Sequence, residues 1–205
     1  MKSIFTFLFC FILSVAYSQE KVSFGKNLKN RFVNYTEFGV LFGRGYQITP
    51  INYSYYSYPV KASANISFQT FNGVKVYKNL AAGITVGVDW YSTQQLIPIS
   101  LGIRNSFGDS SNKKVKTFAG IDAGYGFTWL STGDTEYQKT RGGLALNPMV
   151  GLLIPTGGQA NFTLSIGYKY NAFQTETYSG AGDYSYYNRI DYSLNKMSVK
   201  LGVNF

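Results

Sequence analysis

The chain has 205 residues and a formal charge of +9, with 18% aromatic and only 14% charged residues, 22 glycines, one cysteine and no histidine. The missing histidine excludes Ser–His–carboxylate nucleophiles and histidine-based metal sites as usually built, and the basic residues are scattered, which argues against a nucleic-acid partner. No catalytic residue, metal site or cofactor is expected, because the carboxylates show no close spacing that marks a catalytic pair.

Lys2 precedes an apolar stretch from Ile4 to Val15, followed by Ala16-Tyr17-Ser18. A charged start, an apolar segment too short to span a bilayer and small residues at −3 and −1 predict a signal peptide, residues 1–18, cleaved after Ser18. Cys10 lies inside it, so the 187 residues that follow carry no thiol. Residues 19–33 are polar and basic, with Lys21, Lys26, Lys29 and Arg31, and read as an N-terminal periplasmic lead-in.

From residue 34 onward the dominant signal is period-two alternation, the pattern of a strand with one apolar and one polar face. The first predicted strand, roughly Asn34 to Arg44, puts Phe38, Val40 and Phe42 on one face. A loop is expected from Gly45 to Lys61, carrying Pro50, Pro59 and the tyrosines Tyr46, Tyr53, Tyr55, Tyr56 and Tyr58. The second strand, about Ala62 to Tyr77, sets Ile66 and Phe68 against Asn65, Ser67 and Gln69; the third, Leu80 to Tyr91, sets Ile84, Val86, Val88 and Trp90 against Thr85, Gly87 and Asp89. In the fourth, Leu96 to Phe107, Ile97, Ile99, Leu101 and Ile103 oppose Ser100, Gly102 and Arg104. The fifth, Val115 to Leu130, opposes Ile121, Tyr125, Phe127 and Trp129 to Gly120, Asp122 and Gly124. After a polar loop, Ser131 to Arg141, the sixth strand, Gly142 to Ile154, has the weakest alternation of the set. The seventh, Ala160 to Ala172, points Phe162, Leu164, Ile166, Tyr168 and Tyr170 one way. A second tyrosine-rich loop, Phe173 to Ser193, holds Tyr178, Tyr184, Tyr186, Tyr187 and Tyr192 and leads to the last strand, Leu194 to Phe205.

Connections after strands one, five and seven are long and those after two, four and six short; the one after strand three is short where a long one belongs. Long extracellular loops and short periplasmic turns are the asymmetry of outer-membrane barrels. The fold expected is therefore all-β, an eight-stranded antiparallel transmembrane β-barrel over residues 34–205, monomeric and surrounded by outer-membrane lipids.

The inward faces then carry Glu37, Asp89 and Asp122 against Arg104, Lys169 and Lys200. A base on the lipid side would cost about 2–4 kcal/mol at the midplane. Eight-stranded barrels are just wide enough for side chains to fill, so these six are expected to form a paired, hydrogen-bonded lumen network. Trp90, Tyr91, Phe107, Trp129, Tyr168 and Phe205 fall near strand ends, where interfacial girdles need amphipathic rings. Exposed tyrosine supplies large contact area at low entropy cost, so Tyr53, Tyr55, Tyr56, Tyr58, Tyr184, Tyr186 and Tyr187 are candidate contacts to an extracellular ligand or host surface.

The segments Asn72-Gly73-Val74-Lys75-Val76-Tyr77, Asp89-Trp90-Tyr91, Leu101-Gly102-Ile103-Arg104, Ile166-Gly167-Tyr168-Lys169-Tyr170 and Leu201-Gly202-Val203-Asn204-Phe205 stand in a telling order and spacing. With the signal ending Tyr17-Ser18-Gln19, they resemble the small outer-membrane β-barrel family of the porin-like or OmpA-like kind, in its Bacteroidetes-type versions. The resemblance covers nearly all of the chain after the signal and implies a fold and a location more than an activity. The closing strand, with Met197, Val199, Leu201, Val203 and Phe205 on one face, resembles the signal read by the barrel-assembly machinery. The wall-anchoring role of two-domain relatives is not implied. Four functions stand open: a structural or surface-exposed barrel with a sealed polar core and tyrosine-rich loops, a narrow porin-like channel for ions or small solutes, an adhesin or surface-binding protein, and a soluble lipocalin-like barrel. In the last, the residues here assigned to lipid would line a cavity. An enzyme is not expected.

Overall fold

A computed structural model describes residues 31–51, 54–91, 94–108, 114–128, 138–158, 160–179 and 186–205. The expected signal peptide, and the lead-in up to residue 30, lie outside them. Eight strands follow in order: β1 (Phe32–Ile51), β2 (Ser54–Lys75), β3 (Leu80–Trp90), β4 (Gln95–Phe107), β5 (Lys116–Phe127), β6 (Gln138–Pro155), β7 (Asn161–Ser179) and β8 (Tyr186–Asn204). Each neighbours the next, and β8 returns antiparallel to β1, so the sheet closes on itself. At the seam Asn34 N–H donates to Phe205 O (2.8 Å) and Phe205 N–H to Asn34 O (3.1 Å). Closure removes the free edges that a hydrocarbon medium cannot hydrogen-bond.

Alternation sorts the side chains. Phe38, Val40, Ile66, Ile84, Leu101, Ile121, Val150, Ile166 and Leu201, with others on the same faces, are exposed on the outer surface, while their sequence neighbours are buried in the lumen. Soluble monomers rarely expose a contiguous apolar patch beyond about 300–600 Å²; here the apolar outer face belongs to all eight strands. The lipocalin-like arrangement, with these residues lining a cavity, is thereby overturned.

The wall is uneven in height. β1, β2, β6, β7 and β8 run 18 to 22 residues, whereas β3, β4 and β5 run 11 to 13. This corrects both tyrosine-rich loops. Most of Gly45–Lys61 belongs to the far ends of β1 and β2, and Phe173–Ser193 to those of β7 and β8, where Phe173↔Tyr192 and Tyr178↔Tyr187 are cross-strand partners. Tyrosine fits a pleated surface well. Pro59 is tolerated because β2 pairs with β3 only from Ile66 onward, so its upper part borders no strand on that side among the described residues. The loop expected at Ser131–Arg141 likewise ends early, since β6 begins at Gln138.

The weak alternation of the sixth strand arises because its inward positions Ala145, Met149 and Leu153 are themselves apolar and buried, and a register shift stands at its start. Gly142 pairs with Phe173 but Ala145 with Asn171, so β6 carries an extra residue against β7, a β-bulge that shifts the inside–outside parity. Beyond it Thr140 is buried and Lys139 and Arg141 are exposed.

Candidate functional site in the barrel lumen

Eight side chains, one from each strand, meet in the lumen as one hydrogen-bonded network: Glu37, Gln69, Thr85, Arg104, Asp122, Asn147, Ser165 and Lys200. Its centre is a two-pronged pair in which Arg104 donates to Asp122 Oδ1 (2.8 Å) and Oδ2 (2.9 Å), both residues being buried. Asp122 also accepts from Thr85 Oγ1 (2.7 Å) and Asn147 Nδ2 (2.9 Å), so its carboxylate is saturated. The guanidinium lies 4.6 Å from the centroid of the Phe71 ring, which gives the charge an aromatic face as well.

The sequence set three acids against three bases, and the structure joins them in two ways. Lys169 Nζ donates to Asp89 Oδ1 at 2.7 Å, a second direct pair. Glu37 and Lys200 are instead linked through an amide. Gln69 donates its N–H to Glu37 Oε2 (2.8 Å), and its carbonyl oxygen accepts from Lys200 Nζ (2.9 Å). Ser165 Oγ donates to the other Glu37 oxygen at 2.6 Å.

Around Asp89 a second network runs toward the far end. Ser67 Oγ donates to Oδ1 (2.7 Å), Asn171 Nδ2 to Oδ2 (3.0 Å), and the same amide to Tyr91 OH (2.7 Å). Tyr91 is therefore not a girdle residue. It is buried in the lumen, because its odd position shares the inward face of Asp89.

Room for these long side chains comes from the residues directly across the ladder. Arg104 faces Gly120 and Asp122 faces Gly102. A Cβ on Gly120 would fall 2.5 Å from Arg104 Cδ, and one on Gly102 would meet Asp122 Oδ1. Glu37 faces Gly202, Lys200 faces Gly39 and Gln69 faces Gly87 in the same manner.

Apolar plugs stand on either side of the polar layers. Toward the chain termini Val33, Tyr35, Phe71, Ala81, Phe118, Met149 and Leu153 form one cluster, with Tyr35 ring centroids 5.9 Å from Phe71 and 5.4 Å from Phe118. Toward the far end Leu41, Tyr91, Leu96, Phe173 and Leu194 form the other, and Tyr192 stacks on Phe173 at 4.7 Å. Sequence reasoning missed these plugs, although parity would have found them: Tyr35 and Leu41 flank Glu37 on one face, and Phe71 and Phe118 continue the faces of Gln69 and Asp122. It also missed Lys196, four residues before Lys200, which donates to Gly43 O (2.9 Å), Ser63 Oγ (3.0 Å) and Ser63 O (3.2 Å). A pocket of about 10 Å³ beside Asp122 and Lys169 has room for no more than about one water molecule. Among the described residues no group of three or more His, Cys, Asp or Glu could hold a metal ion.

No family model matches the sequence, and no curated protein matches it. Among solved structures, the crystal structure of the outer membrane protein OprG from Pseudomonas aeruginosa aligns with a TM-score of 0.58, covering 84% of this chain and 93% of that one at 8% identity. The fold is that of an outer-membrane eight-stranded barrel. The outer membrane protein AlkL, solved by solid-state NMR in DMPC lipid bilayers, gives a TM-score of 0.49 at 14% identity, covering 85% of this chain and 89% of that one. The crystal structure of Neisserial surface protein A gives 0.43 at 14% identity over 84% of this chain and 95% of that one.

On the outside of this barrel, Met197, Val199, Leu201 and Phe205 are exposed and Val203 half-buried. Tyr77, Phe107, Phe162 and Phe205 lie toward the terminal end; Phe42, Trp90, Phe127 and Tyr168 lie toward the other. Trp129 is outside the described residues. Of the tyrosine candidates, Tyr55, Tyr56 and Tyr58 are exposed side chains on β2, Tyr186 and Tyr187 belong to the backbone of β8, and Tyr53 and Tyr184 are outside the described residues.

Proposed function

We propose that this chain is an outer-membrane barrel of a Gram-negative bacterium with a structural or surface-exposed role, its lumen sealed and its tall tyrosine-bearing hairpins presented outside. The observation that carries the reading is the lumen network with one residue from every strand, held between two apolar plugs. A solute crossing it would have to separate charge-assisted bonds of about 2.7–2.9 Å, each worth roughly 1.5–3 kcal/mol. The apolar outer face supports contact with lipid, and the fold shared with an outer-membrane barrel supports that location. The outward row Met197, Val199, Leu201, Val203 and Phe205 suits recognition by the barrel-assembly machinery. Exposed Tyr55, Tyr56 and Tyr58 suit an extracellular ligand or host surface.

The test is a swelling assay on proteoliposomes in isosmotic arabinose, using protein that has a heat-modifiable gel mobility and fractionates with outer membranes. The expected result is no swelling above empty vesicles. Sustained swelling would replace this reading with the narrow channel.

A further inference from the structure

We propose that the outer face of β2 is a contact between two copies of this chain standing side by side in the membrane, an inference that rests on the outer-membrane reading above. The face is polar where lipid should meet it and apolar where water should. Even-numbered positions of β2 point outward, as the exposed Ile66, Phe68 and Val74 do. Among them Thr70 and Asn72 break the apolar band, and on β1 Asn34 and Thr36 break it between the exposed Phe32 and Phe38. Hydrogen bonds join the four across the two strands. Asn34 Nδ2 donates to Asn72 Oδ1 (2.7 Å) and Thr70 Oγ1 (3.1 Å), and Thr36 Oγ1 donates to Asn34 Oδ1 (2.9 Å). Asn72 is the exposed member of this notch, and its own Nδ2 makes one long bond, 3.4 Å to Thr70 Oγ1. Hydrocarbon supplies no water to complete such a group.

Further up the same strand the pattern inverts. Ile66 pairs with Trp90 of the outer girdle. Beyond it the outward positions are Ala64, Ala62, Val60, Tyr58 and Tyr56, with no charge among them, while Lys61 and Ser57 occupy the opposite face. From Val74 to Tyr56 the row climbs roughly 45–50 Å, at about 3.4 Å per residue and a tilt near 40°, whereas an apolar band is about 25 Å tall. Its upper part therefore stands in water with an apolar face turned away from the barrel. The other tall strands turn charge outward past their own apolar rows, with Arg44 on β1, Arg141 on β6 and Asp191 on β8. The upper edge of β2 is also open on the β3 side among the described residues, so a neighbour can approach it.

A second copy is the partner that fits this inverted profile. Two copies inserted in the same direction are related by a two-fold axis along the membrane normal, so each level of one meets the same level of the other. Notch faces notch, where amides and hydroxyls both donate and accept and can complete each other. Ile66 and Phe68 meet their counterparts within the band, and Val60 and Tyr58 meet theirs above it. The row carries no charge, so a chain of net charge +9 does not repel itself there. A face about 10 Å wide and 45–50 Å tall has a footprint of roughly 500 Å² per copy, about 1,000 Å² in total, which is where specific interfaces begin. Tyr55, exposed on the opposite face of β2, stays open to an extracellular ligand. The assembly is then a pair where the sequence suggested a single barrel.

The experiment is oxidative cross-linking of the refolded chain in lipid vesicles and in isolated outer membranes. Cys10, the only cysteine, is replaced by serine, and a cysteine is placed at Ala62 or, as a control on the opposite strand of the ring, at Lys139 of β6. Ala62→Cys should cross-link to a product of twice the chain's mass roughly ten-fold faster than Lys139→Cys, because the contact holds two equivalent thiols together. Val60→Asp sets like charges against each other, and Thr70→Val/Asn72→Leu removes the notch; each should slow the Ala62→Cys reaction several-fold. Urea unfolding at high lipid dilution, where copies stand apart, does not read the contact. Equal rates at the two sites, a product of any other mass, or a rate that either change leaves intact in a barrel of normal gel mobility overturns the pairing and leaves the barrel reading intact. If Thr70→Val/Asn72→Leu does not fold, Val60→Asp decides alone. A chain that does not enter the bilayer at all overturns the outer-membrane reading and the contact with it.

Discussion

Replacing Asp122 by alanine removes the acceptor of four hydrogen bonds and leaves Arg104 buried without its counter-ion. Breaking a buried pair from one side costs about 3–5 kcal/mol, most of it the price of the stranded charge. Thr85 and Asn147 also lose a partner, while the Phe71 face and the Ile103 carbonyl (3.0 Å from Arg104 Nη1) recover part of the loss. The expectation is about 4 kcal/mol, which at a urea slope near 2.5 kcal/mol/M moves the unfolding midpoint by roughly 1.6 M. The assay is reversible urea unfolding in lipid vesicles followed by tryptophan fluorescence. Arg104→Met/Asp122→Leu removes both charges together and should cost clearly less than Asp122→Ala alone, because replacing the whole pair by apolar groups is often close to neutral. A single-variant loss below about 1 kcal/mol, or a double variant no better than the single, would refute the idea that paired charges hold the lumen shut.

Gly120→Val places a Cβ 2.5 Å from Arg104 Cδ and should destabilise by about 1–3 kcal/mol through overpacking, measured in the same unfolding assay. Leu201→Arg puts a charge on a side chain 65% exposed on the outer face; it should cost about 2–4 kcal/mol in vesicles if that position is near the midplane, whereas Leu201→Ser should cost less. Glu37→Gln removes the carboxylate that Gln69 and Ser165 serve and should lower stability by about 1–3 kcal/mol, read from the urea midpoint. Tyr55→Ser/Tyr56→Ser/Tyr58→Ser should leave the unfolding midpoint within about 0.5 kcal/mol, since these are surface positions, while reducing any surface binding of intact cells in a plate adhesion assay.

Much of the fold is legible in the sequence because lipid outside and a polar lumen inside force a strict period of two. Ile97, Ile99, Leu101 and Ile103 against Ser100, Gly102 and Arg104 can be read by eye. Parity also reaches the lumen charges, since Lys169 and Lys200 each sit between apolar or aromatic neighbours and Arg104 follows Ile103 in step with Ser100 and Gly102. Pairing is another matter. That Arg104 meets Asp122 while Glu37 reaches Lys200 only through Gln69 depends on register, which no single strand encodes. The tall hairpins were hidden because above the membrane both faces of a strand meet water and the alternation fades; Pro50 and Pro59 then look like loop signals. Tyr91 was misplaced for a related reason. A tyrosine at a strand end suits a girdle equally well, and only its parity with Asp89 turns it inward.

The most direct test of the central claim, a lumen closed by its own side chains, is planar-bilayer conductance of the refolded protein after its gel mobility shows it folded. A sealed lumen predicts a quiet membrane with no discrete steps. Reproducible single-channel steps, altered in size by Arg104→Ala or Asp122→Ala, would contradict it.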